Sequence, residues 1–133
     1  MTPLITGIYS KFIAAPANNL YTALGGRLYH AEAPQSVTYP YATVFVVSSE
    51  HDWTFTDTFE EVLVQFSIFT QERSAANAGT YWKYLIALYD DASISVTGYS
   101  QIDMIRGQSR LIRDEESNTW HYMTEYNSTL EQS

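Results

Sequence analysis

The sequence predicts an α+β domain, a mostly antiparallel sheet with two main helices on one face, in the order α-β-β-β-α-β-β. Three patterns carry that expectation. Residues 58–71 and 120–130 alternate apolar and polar with a period of two, as strands with one buried face do. Ala78, Tyr81, Trp82, Leu85, Leu88 and Tyr89 recur at helical spacing. Leu4, Ile5, Ile8, Tyr9, Phe12 and Ile13 form a second helical stripe. The 133 residues suit a single domain spanning 1–133.

Each element has its own local cause. Pro3 fits the first turn of the opening helix, and Pro16 ends or kinks it. Asn18 or Asn19 can cap a short helical turn carrying Leu20, Tyr21 and Leu24, and Gly25-Gly26 stops it. Residues 27–30 can form a short strand, residues 33–36 a loop, and Tyr39-Pro40-Tyr41 an extended lead into the next strand. Residues 41–49 read as a strand whose continuous run Val44-Phe45-Val46-Val47 suggests cover on both faces. Residues 50–57 read as a polar and aromatic loop joining it to 58–71 in a long antiparallel hairpin. Ser74 is a fitting N-cap for the second main helix, which Asp90-Asp91 and Ser93 end. Strands at 94–96, 101–113 and 120–130 follow, with a turn at 114–118 and a frayed tail after Leu130.

The totals narrow the function. With 15 acidic and 7 basic residues the formal charge is −8, which disfavours a nucleic-acid clamp built on phosphate contacts. The chain has no cysteine, so disulfides, thiolate catalysis and sulfur-ligated zinc are excluded. Neither a signal peptide nor an apolar run of the ~20 residues a membrane helix needs is apparent, which predicts a soluble protein. Aromatic residues make up 15% of the chain, which suits a β-rich core and also supplies interface anchors.

The chemistry-bearing residues do not converge. His30, His51 and His121 lack HxxxH or HExxH spacing, and Glu50-His51-Asp52 is an unspecific match to a metal site. Glu60-Glu61, Asp90-Asp91 and Asp114-Glu115-Glu116 are sequence neighbours, which in a strand point to opposite faces. No nucleophile elbow, P-loop or dinucleotide fingerprint is present. The expectation is therefore no enzyme, no catalytic residue, no metal and no cofactor. Arg106, Arg110 and Arg113 form a basic stripe, with Arg106 and Arg110 expected on one strand face. Two readings stand for it: cross-strand pairing with acids such as Glu125, or contact with acids of a neighbouring subunit.

Several segments, taken in order, resemble one family. Gly25-Gly26-Arg27-Leu28-Tyr29 follows the first helix, and then come Ala33-Pro34-Gln35 and Tyr39-Pro40-Tyr41, leading to Ser48-Ser49. Glu61 to Phe69 (EVLVQFSIF), the helix start Ser74-Ala75-Ala76 and a final strand pair with Trp120-His121-Tyr122 complete the series. Over residues 4–126 this order is similar to the tail-terminator and tail-completion proteins of long-tailed bacteriophages and related gene-transfer particles. The resemblance implies a structural virion protein forming a ring, commonly hexameric, at the head-proximal end of the tail tube. Such a ring ends tube polymerisation and prepares head–tail joining. The implied partners are further copies of the chain, the tail-tube protein and the head–tail connector, with DNA passing through unbound and no membrane involved. The implied location is the virion, after assembly in the host cytoplasm. Expected subunit contacts are His51, Trp53 and Phe55 in the aromatic loop together with Arg106, Arg110 and Arg113. Asp114, Glu115 and Glu116 are expected to face the lumen. The alternatives are another neck or tail subunit of the same fold, a carbohydrate- or receptor-binding module stacking sugars on Trp53 beside His51 and Asp52, or a small enzyme.

Overall fold

Helix α1 (Thr2–Ala14) carries Pro3 in its first turn, where the missing N–H has no intrahelical partner to lose. The computed structural model describes residues 2–14, 19–32, 37–53, 58–71, 76–90, 94, 96–101, 104–115 and 119–132. Pro16, Asn18, the loop at 33–36 and Ser74, all expected to shape turns or caps, lie outside them. Helix α2 (Asn19–Leu24) ends at Gly25 and Gly26, whose φ values of 60° and 75° suit glycine alone without strain. The amide of Gly26 returns to the Tyr21 carbonyl, closing the helix end. Strand β1 (Leu28–His30) follows, and then the long hairpin of β2 (Tyr41–Trp53) and β3 (Thr58–Thr70). Helix α3 (Ala76–Tyr89) leads to β4 (Tyr99–Gln101), β5 (Ile105–Asp114) and β6 (Thr119–Gln132).

The strands form one six-stranded sheet in the order β1-β2-β3-β6, with β4 and β5 each paired to the far side of β6. Among the described strands only the β1–β2 pair is parallel, so the expected mostly antiparallel α+β architecture is the observed one. The register settles which residues share a face. Val44 lies opposite Phe66, Phe66 opposite Thr124, and Val64 opposite Tyr126. These side chains all point to the helix side, where Val44, Val64, Phe66, Ile68, Tyr126 and Leu130 are buried against Leu4, Ile8, Phe12, Leu24 and Leu85. Phe66 sits at the centre: its ring lies 4.7 Å from that of Tyr89 and 5.7 Å, edge-on, from that of Tyr126. The Tyr89 hydroxyl donates to the Ile8 carbonyl at 2.9 Å, tying α3 to α1 across the core.

Four expectations need correction. Strand β2 does not stop at residue 49 but runs to Trp53, because His51, Asp52 and Trp53 continue the ladder opposite Glu60, Phe59 and Thr58. The run Val44-Phe45-Val46-Val47 is not covered on both faces: a register shift between Val46 and Ser48 leaves Val47 46% exposed. The short strand expected at 94–96 is replaced by β4 at 99–101, with Val96 making a single bridge to Tyr99 around Gly98. Residues 131–132 are not frayed: Glu131 pairs with Phe59 of β3 and Ser100 of β4, and Gln132 with Tyr99 of β4, while Ser133 lies outside the described residues.

Removing the Tyr89 hydroxyl tests the α1–α3 tie. Tyr89→Phe keeps the packing and deletes one buried hydrogen bond, so it should cost about 0.5–1.5 kcal/mol in urea unfolding with an unchanged m value.

Candidate functional site

The chemistry-bearing side chains form two groups, one on each face of the sheet. On the helix face, Tyr126 donates to Asp90 Oδ1 at 2.7 Å, and Arg106 Nε lies 3.6 Å from Asp90 Oδ2. Arg106 also sits over the Trp82 ring at 5.3 Å. Trp82 in turn stacks on Tyr122 at 5.1 Å and donates its indole N–H to Thr124 at 2.8 Å. This cluster clamps β5 and β6 against the end of α3. Burial, and then the Asp90 carboxylate, push the Tyr126 phenol well above its ordinary range. Its hydroxyl therefore remains a donor at all working pH values.

The opposite face has no helix on it among the described residues. At one end, rings form a ladder across three strands: Tyr41 stacks on Phe69 at 4.9 Å, and Phe69 stacks on His121 at 4.4 Å. Tyr39 and Tyr29 close its outer end, at 5.1 and 6.2 Å from Tyr41. A groove of about 650 Å³ runs along the ladder, bounded by Ile112, Arg113, Asp114, Glu115 and Thr119. Burial, and then Tyr39, push the Tyr41 phenol up to about 12. Burial lowers the His121 imidazole, whose Nε2 is enclosed without a hydrogen-bond partner among the described residues. Rings stacked at the strand spacing cover one another's faces and turn their edges outward, so the ladder is a poor platform for a sugar ring.

The sequence-predicted residues fall in several places. His51 and Trp53 lie in the last turnward residues of β2, while Phe55 and Glu116 lie outside the described residues. Arg106 and Arg110 do not share a face. A register shift between Arg106 and Ser109 sets Arg106 opposite Tyr126 but Arg110 opposite Met123, on the other side of the sheet. Arg106 is held by Asp90, not by Glu125, and Arg113 lies over the Trp120 ring at 5.0 Å. Arg110 is exposed and has no ion-pair partner among the described residues. Asp114 and Glu115 are exposed at the end of the groove. Sequence reasoning missed the Trp82–Asp90–Tyr126 cluster and the ladder. Gly107 was the available signal for the bulge, since an interior strand glycine often marks one.

Among the described residues no group of His, Cys, Asp and Glu could hold a metal ion, and no helix is long and apolar enough to cross a membrane. No protein-family model matches the chain, and no curated protein matches it. Solved structures do. A chain from "Virion of native gene transfer agent (GTA) particle" superposes with a TM-score of 0.77 at 13% identity, over 96% of this chain and 97% of that one. A second solved chain, described without any role, gives a TM-score of 0.60 at 12% identity, over 98% and 95%. At such identities what is shared is the fold, and it is shared over nearly the whole of each chain.

The enclosed His121 makes a pH prediction. Its folded-state pKa lies below the unfolded value of 6.5, so the unfolded chain binds the extra proton first. Stability should hold above pH ~6.5, fall as pH drops towards the folded pKa, and level off below it. Thermal unfolding of His121→Phe should lack that slope. Parallel losses in the two proteins would remove His121 as the cause.

Proposed function

We propose that this chain is a structural subunit of a phage-like virion, and that within the particle it forms the ring ending the tail tube at its head-proximal end. The observation that carries the reading is the end-to-end fold match to a chain of a gene transfer agent virion. The ordered sequence resemblance to tail-terminator proteins supports the finer placement. The physical character of the domain agrees with it. The chain carries net charge −8, and an acidic wall lets DNA slide past without sticking. In this reading Asp114 and Glu115, exposed at the β5–β6 end, together with Glu116, face the lumen. The partners are further copies in a hexameric ring, the tail-tube protein below and the head–tail connector above. A neck or tube subunit of the same fold is the neighbouring reading.

Inactivating the gene in the parent particle separates these roles. A terminator predicts tubes of uncontrolled length, or tails and heads that never join, seen by negative-stain microscopy. Tubes of normal length on particles that fail to adsorb would instead indicate a receptor-binding role. Complete absence of tubes would indicate a tube subunit.

A further inference from the structure

Strand β5 is the far edge of the sheet: it pairs with β6 on one side and with no described strand on the other. An open ten-residue edge is a template for another chain. Three of the six large hydrophobics exposed among the described residues lie on it, Ile105 at 52%, Leu111 at 41% and Ile112 at 37%. So do three of the chain's seven Lys and Arg residues, Arg106, Arg110 and Arg113. Arg106 is held by Asp90, which leaves Arg110 as the arginine directed outward on the helix-free face.

The other side of the sheet has the complementary character. Strand β1 covers β2 only along Ala42 to Val44, so beyond Val44 the outer edge of β2 has no described strand beside it. The hairpin strands β2 and β3 contain Glu50, Asp52, Glu60 and Glu61 and no lysine or arginine. Glu60 is engaged within the chain, accepting from Ser49 at 2.7 Å. Glu61 is exposed, has no ion-pair partner among the described residues, and stands in register directly opposite Glu50. Position 61, like Arg110, belongs to the helix-free face, since Glu61 shares the parity of Ser67, the partner of Met123.

We propose that the outer edge of β5 in one copy docks on the outer edge of β2 in the next, bringing Arg110 to the exposed Glu61 of the adjoining strand β3. The proposal rests on the ring reading above and specifies its contact. Strand sense agrees: β2, β3, β6 and β5 alternate in direction, so the next copy's β2 continues an antiparallel sheet beside β5. Charge selects head-to-tail over two-fold pairing, because β5 against β5 would set arginines against arginines.

The test is a charge swap read by mass photometry across a concentration series, on the full chain. Arg110→Glu and Glu61→Lys should each weaken assembly by at least about fivefold. The double variant should recover most of the wild-type assembly. Circular dichroism melts of the single variants check that the subunit itself stays folded. Tighter assembly of Arg110→Glu would mean that β5 meets β5, and silent or additive variants in an assembling wild type would overturn this contact while leaving the ring. A wild type that remains monomeric at every concentration would overturn both.

Discussion

Everything in this molecule hangs on the register of β6. It is the one strand that pairs with three others, β3 along one side and β4 and β5 along the other. Its even positions from 124 to 130 are dry: Thr124, Tyr126, Ser128 and Leu130 are buried under the helices. A slip of one residue would turn that whole set outward and strand the tyrosine hydroxyl far from Asp90. The buried Phe66, Tyr89 and Tyr126 rings fix the sheet to α3, and the Tyr89–Ile8 hydrogen bond carries the constraint on to α1. With β6 fixed on the helix side, its odd positions and those of its neighbours make the helix-free face.

How much of this was legible beforehand varies from element to element for physical reasons. Strands β3 and β6 announce themselves because each buries one face, so the period of two is written into their residues. Helix α3 is equally plain, with Ala78, Leu85 and Tyr89 meeting the core at helical spacing. The glycine stop after α2 is legible because a positive φ is a local demand. The two register shifts are different. Val47 in β2 and the Gly107-Gln108 step in β5 bulge against particular partners, and the partner is not in the local sequence. That is why the arginine stripe divides between the faces, although its spacing suggests a single one. The outward positions of α1 misled in another way: Tyr9 and Ile13 extend the apolar stripe, yet each is 43% exposed. The candidate surfaces suffered most, because the His121 ladder joins residues from three strands whose proximity only the fold creates.

The same constraint accounts for what the chain leaves open. A sheet held so firmly through β6 has two unlike sides: β5 carries three arginines and exposed apolar residues, whereas β2 and the adjoining β3 contain four acidic residues and no lysine or arginine. The Asp90–Arg106–Trp82 clamp stiffens β5 from behind, so this edge is presented as an ordered strand with its backbone groups already aligned. Unlike edges favour a heterologous contact, and heterologous contacts that close make rings. The fold itself is shared with a chain of a gene transfer agent virion.

Backbone hydrogen exchange on the free and assembled protein tests this account most directly. The open edges face no strand among the described residues of the single subunit, whereas β3 and β6 are paired with strands on both sides. Assembly through the open edges should bring new protection in β5 and in β2 beyond Val44, with β3 and β6 unchanged. Protection gained on the helices alone, with β5 still exchanging freely, would contradict it.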